Sequence, residues 1–169
     1  KVVNGDSKEV NLVGLSKEVQ GNFRGFDVVG IYKEVYKDSS GFNLIGVGSW
    51  VRGNSSGINI NGVFNKTDGN SSSMNLTGIL NIGCGKSKGL DVAGVYNYSG
   101  KVEDYLVQTS LCGNTIDEVG DDACGIQFGL YNRAGNQVSP IVNLYGLGNM
   151  VGKIGGFIEK KLDRVFDYA

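Results

Sequence analysis

The residue types able to do chemistry cluster in the middle of this sequence. Five Asn-x-Ser/Thr triplets, the acceptors of N-linked sugar, stand at Asn54, Asn65, Asn70, Asn75 and Asn97. The 169 residues hold 17 Asn and 18 Ser plus Thr, so about two such triplets would arise by chance. The excess points to a glycosylated, exported chain whose acceptor asparagines face solvent. Of the three cysteines, Cys112 and Cys124 bracket a short stretch and predict a disulfide stapling an excursion loop. Cys84 is left as a small turn residue or a hook for another chain.

Other chemistries are missing their parts. With no His, neither a Ser-His-Asp nor a Cys-His arrangement can be built, and a zinc site lacks its ligands. Gly83-Cys84-Gly85-Lys86-Ser87 lacks the first Gly of a phosphate loop and sits between strands. Carboxylates alone can cleave polysaccharides, and Asp104, Glu118, Asp121 and Asp122 are the candidates, or ligands for Ca²⁺. A solvated acidic loop is the preferred reading, so no catalytic residue, metal or cofactor is expected and the chain reads as a non-enzyme. The aromatic residues Tyr32, Trp50, Phe64, Tyr96 and Tyr98 could line a sugar-binding face or simply stack on a wall.

Composition narrows the partners. A net charge of -1 from 16 basic and 17 acidic residues gives no basic stripe for nucleic acid. No apolar run approaches the roughly 20 residues of a membrane-spanning helix. Opening at Lys1 rather than Met, the sequence reads either as a trimmed chain or as a mature secreted protein.

The elements that position these residues follow from a strict repeat. Gly14, Gly30, Gly46, Gly62, Gly78 and Gly94 fall sixteen residues apart. Four residues before each stands an apolar column, Val10, Phe26, Phe42, Ile58, Met74 and Leu90, and two before stands another, Leu12, Val28, Leu44, Ile60, Leu76 and Val92. A third apolar column follows the Gly, and between the first two lies Asn11, Asp27, Asn43, Asn59, Asn75 and Asp91. Alternation of this kind is strand periodicity, and its phase flips at the Gly, as at a corner. Turn residues such as Asp38-Ser39-Ser40-Gly41 close each copy.

The pattern predicts an all-β protein, a β-solenoid (β-helix) of about eight 16-residue coils, with an eight-stranded antiparallel β-barrel or meander as the alternative. One repeat domain is expected over residues 1–154: coils at 9–104, an inserted loop at 105–123, and coils at 124–154 that include Gly129 and the copy Val142 to Leu147. The apolar columns would form the core and the Asn column would face solvent, placing Asn75 outward between inward-pointing Met74 and Leu76. Residues 155–169 carry Ile158, Leu162, Val165 and Phe166 at helical spacing, which predicts a C-terminal cap or docking helix.

The segments Gly125-Ile126-Gln127-Phe128-Gly129-Leu130-Tyr131-Asn132 and Gly89-Leu90-Asp91-Val92-Ala93-Gly94-Val95-Tyr96-Asn97 resemble the tandem Gly-apolar-x-apolar-Gly-apolar-apolar-Asn repeats of uncharacterised exported surface-repeat proteins. The resemblance covers about residues 9–150; it implies an exported, surface-associated protein and carries no activity. The expectation is an extracellular structural protein, a subunit of a cell-surface filament or coat that associates with itself through its chain ends. The alternative is a carbohydrate-binding or carbohydrate-cleaving β-helical protein whose partners are surface glycans.

Overall fold

The computed structural model describes residues 1–146, all of it built from strands and turns. The first half of the chain gives β1 (Val2–Val3), β2 (Ser7–Val13), β3 (Ser16–Val19), β4 (Phe23–Val29), β5 (Tyr32–Val35), β6 (Ser39–Ile45), β7 (Gly48–Val51) and β8 (Ser55–Asn61). The second half gives β9 (Phe64–Thr67), β10 (Ser71–Thr77), β11 (Leu80–Ala93), β12 (Tyr96–Val102), β13 (Tyr105–Thr109), β14 (Gly113–Val119), β15 (Cys124–Ala134) and β16 (Gln137–Tyr145).

The strands stack as the coils of a β-solenoid. One wall runs β2, β4, β6, β8, β10 and the latter part of β11; the other runs β1, β3, β5, β7, β9 and the start of β11. Every pair along these walls is parallel and in register at the repeat, as in Val10 opposite Phe26, Phe42 opposite Ile58, and Met74 opposite Leu90. Parallel neighbours exclude the barrel and meander. Each coil turns between its walls at the Gly column, where the backbones approach closely. A Cβ on Gly62 would lie 1.9 Å from the Gly46 carbonyl oxygen, and one on Gly78 would lie 1.9 Å from that of Gly62. No side chain fits there.

The inside of the solenoid is the reverse of the expectation. Asn11, Asp27, Asn43, Asn59, Asn75 and Asp91 are all buried, while Val10, Leu12, Phe26, Leu44, Ile58 and Met74 face outward. The alternation itself is as predicted but its phase is inverted, because a one-residue shift in a strand exchanges its faces. Among the described residues, the apolar core gathers into two clusters, with Val29 and Ile45 buried beside each other outside them. One cluster holds Val19, Phe23, Val35 and Val51; the other holds Val102, Leu106, Ile116, Ala123, Ala134 and Tyr145.

Two segments differ from the sequence-based division. Residues 105–123 are not an inserted loop: β13 pairs in parallel with β11 and β15, and β14 pairs with β12 and β15, so this stretch is itself a coil. Its turns are longer, so Gln108 stacks on Asp91 and Gln127 on Gln108, outside the sixteen-residue spacing. The copy at 142–147 is not a parallel coil. Its described part belongs to β16, which returns antiparallel along β15 with Asn143 opposite Gln127. The helix expected over 155–169 lies outside the described residues.

Candidate functional site

The stacked asparagines form a continuous amide ladder. Asn43 Nδ2 donates to Asn59 Oδ1 at 2.7 Å, Asn59 to Asn75 at 2.9 Å, and Asn75 to Asp91 Oδ1 at 2.7 Å. A carboxamide is both donor and acceptor, so identical residues at the strand spacing satisfy one another without water. A second ladder on the opposite wall links Ser49 to Asn65 and Asn65 to Asn81. Asn97, Asn114 and Asn132 continue the same inner line, and Gln127 donates to Gln108 while Asn143 donates to Gln127.

Two carboxylates interrupt the first ladder, because a carboxylate accepts and cannot donate. Asp27 is met by cations. Lys17 Nζ lies 2.9 Å from each of its oxygens and Lys33 Nζ lies 2.7 Å from Oδ2, with all three side chains buried. Asn11 Nδ2 adds a donor at 2.9 Å. Lys33 Nζ then reaches Asn43 Oδ1 at 2.5 Å, bridging the two acceptors that face each other across the break. The Phe23 ring closes this chamber, 3.1 Å from Lys33 Nζ and 4.5 Å from Lys17 Nζ, measured to its centroid. Desolvation pulls the Lys33 ammonium down to about 7, opposed in part by the Asp27 charge.

Asp91 stands at the same column position as Asp27 with amides around it instead of ammonium groups. Burial raises its carboxyl to about 6, against hydrogen bonds from Asn75, Asn81 and Gln108.

The outward apolar columns form the second feature. Over the first wall they present Phe26, Phe42, Ile58 and Met74 in one file, with Phe26 and Phe42 stacked at 4.9 Å between ring centroids. Beside them run Leu12, Leu44 and the corner residues Ile31, Val47, Val63, Ile79 and Val95, each more than a third exposed. A contiguous apolar strip on this scale is unusual on a solvated surface. Along one side of it lie Gly25, Gly41, Gly57 and Gly89, all at positive φ, which leave the face flat.

The sequence-predicted residues are dispersed. Asn65, Asn75 and Asn97 are interior ladder members, 2%, 2% and 0% exposed, so a sugar on any of them is incompatible with the coil. Asn54 and Asn70 are exposed, at one turn of adjacent coils, where the Asn54 side-chain oxygen accepts from the Asn70 backbone N–H. Cys84, Cys112 and Cys124 are free. Cys124 stands beside Tyr105 at the start of β13 while Cys112 lies beyond its far end, at least ~13 Å away by strand rise and past disulfide reach.

Glu118 is paired with Lys101 at 2.6 Å, and Asp122 lies exposed in the following turn. Among the described residues, no group of three or more His, Cys, Asp or Glu is placed to hold a metal ion. The aromatic residues share the outer side of the second wall. Tyr32 and Phe64 are 6.2 Å apart, Trp50 is covered by Arg52 and Lys66, and the Tyr96 and Tyr98 hydroxyls donate to Thr115 and Asp117.

The buried trio of Lys17, Asp27 and Lys33 escaped the sequence reading. Its signal was there: Lys17 and Lys33 are sixteen apart, and an Asp replaces Asn in the column between them.

No protein-family model matches the chain, and neither a curated protein nor a solved structure does.

Proposed function

We infer that this chain is an extracellular structural subunit that associates with copies of itself into a filament or coat, through the flat apolar face of its first wall. The observation that supports this reading is the outward file Phe26, Phe42, Ile58 and Met74 with its flanking columns. Burying apolar surface is the main favourable term in association, and here it has been left outside while amides fill the core. The strip rises one coil at a time at the strand spacing of about 4.8 Å. A second copy carries the same period, so its ridges match these grooves at every coil, and a two-fold contact over this face pairs copies into a dimer that serves as the unit of the larger assembly.

On this reading the contact lies on the side of the rod. The chain ends were expected to present an apolar cross-section, but at the N-terminal end Lys1 Nζ folds over the first coil to Glu9 at 2.7 Å and Asn11 at 2.6 Å. Export is supported by the repeat resemblance and by the two exposed sequons. Light scattering and negative-stain electron microscopy of the purified protein test the reading. Wild type should form dimers or larger ordered assemblies, and the double variant Phe42→Lys, Ile58→Lys should be a folded monomer. Monodisperse wild-type monomers that bind a glycan array would overturn it in favour of a carbohydrate-binding protein.

A further inference from the structure

The chamber around Asp27 brings together an amine, a carboxamide and a carboxylate, walled from water by an aromatic ring. We propose that Lys33 and Asn43 join in an intramolecular isopeptide bond, formed by the folded chain itself, that covalently ties one coil to the next. This reading is independent of how the subunit associates.

The geometry selects this pair. Lys33 Nζ lies 2.5 Å from Asn43 Oδ1, in contact with the carboxamide that would be attacked. Asp27 Oδ2 lies 2.7 Å from the same nitrogen, placed to take its proton. The neighbouring ladder members Asn59 and Asn75 meet amides, hydroxyls and, at Asn75, the Asp91 carboxylate, but no lysine amine. Charge balance favours the step as well. Two buried lysines face one buried aspartate, and the chamber is neutral when one lysine is uncharged. Lys17 is held by both Asp27 oxygens, whereas Lys33 is drawn down to about 7 by desolvation and supplies a free amine.

The step balances without an outside reagent. The Nζ lone pair adds to Asn43 Cγ and the carbonyl electrons move onto Oδ1. Asp27 accepts the proton released from Nζ and delivers it to Nδ2. The Cγ–Nδ2 bond then breaks, ammonia leaves, and Asp27 is again a carboxylate. One C–N bond forms, one C–N bond breaks, and nothing is oxidised or reduced. The Phe23 ring keeps water from competing as the nucleophile and from solvating the amine.

Intact-mass measurement of the denatured full chain, made in a host that adds no N-glycan, tests this directly. The expected mass is lower than that of the sequence by about 17 Da, one ammonia. Tryptic digestion should leave Lys33 uncut and yield residues 25–37 joined to residues 38–52. Lys33→Arg keeps a cation beside Asp27 but offers no amine of suitable basicity, and should restore the full mass. Asp27→Asn, if it folds, should also retain the full mass. A wild-type mass equal to the sequence after long incubation at pH 8 would overturn the proposal. So would a deficit that persists in Lys33→Arg, since that would be a cyclised Asn and not a cross-link. If Lys33→Arg fails to fold, the wild-type mass and the joined peptides decide alone.

Discussion

The first three coils and the three that follow share one backbone plan and fill it differently. Around Phe23 the interior holds Lys17, Asp27 and Lys33 packed against Val19, Val35 and Val51. From Asn59 to Asn97 the same columns hold Asn, Ser and Thr apart from Asp91 and Ala93, with Thr67 where Val51 stood and Asn65 where Ser49 and Lys33 stood. One region meets its buried carboxylate with countercharge, and the other surrounds its own, Asp91, with stacked neutral amides. A solenoid cross-section has no single solution. Only the glycine corners recur without exception from Gly14 to Gly94, and from Gly30 onward no Cβ fits there.

The sharpest way to break the charged region is Asp27→Asn. Removing the anion leaves Lys17 and Lys33 buried with no partner charge. Breaking a buried ion pair in this way costs about 3–5 kcal/mol, before any loss of a covalent tie. Urea denaturation should show the midpoint falling by an amount worth that loss. A loss below about 1 kcal/mol would mean that water reaches the two lysines.

Asp91→Asn should act in the opposite direction, although Asp91 occupies the same column. Its carboxyl titrates near 6 in the fold and near 3.8 when free, so between those values the native state binds more protons than the unfolded chain. Stability therefore falls as pH rises from about 4 to about 6 and is flat above, a loss of about 3 kcal/mol at neutral pH. Asn at this position keeps the ladder and removes that loss. Thermal melts from pH 4 to 8 should show the variant above wild type at pH 7 and level with it at pH 4. A variant less stable than wild type at pH 7 would count against a charged, unpaired Asp91.

Exchanging inside for outside on one strand gives the next effect. Asn75→Leu strands the Asn59 donor and the Asp91 acceptor in the core, which should cost about 2–3 kcal/mol. Leu76→Asn, one residue along and facing out, should fall within about 0.5 kcal/mol of wild type. Equal losses at the two positions would mean that both side chains are enclosed.

This pair also shows what could be read from the sequence. The period, the parallel stacking and the glycine corners were legible, because a backbone that approaches itself every sixteen residues leaves no choice at Gly30 or Gly62. The inward face was not, because the rule that apolar residues go inside selected Met74 and Leu76. The sign to follow was sameness. A solvent-facing position has no reason to keep Asn or Asp in six copies, whereas a buried amide needs its own kind above and below. The buried trio was hidden for a related reason: Lys17 and Lys33 look like surface lysines until Asp27 is turned inward. The sequons misled in the same way, since Asn65, Asn75 and Asn97 are ladder residues followed by Lys-Thr, Leu-Thr and Tyr-Ser.

The smallest expected effect tests whether the polar filling of the middle coils is finished. Asn61 continues the column of Val29 and Ile45 and is followed by Thr77. It is 3% exposed, and neither its Nδ2 nor its Oδ1 has a hydrogen-bond partner among the described residues. An unsatisfied buried amide costs about 1–3 kcal/mol relative to a satisfied one. Asn61→Val removes both orphaned atoms, fits a site shaped like those of Val29 and Ile45, and keeps a residue favoured in strands. The urea midpoint should rise by an amount worth about 1–2 kcal/mol, with the slope of the transition unchanged, as for a change confined to the folded state. A fall in stability would mean that Asn61 holds a buried water, which apolar replacement expels at a cost. In that case the two regions would differ in hydration as well as in charge, with a dry chamber around Phe23 and a wetted column beyond Ile45.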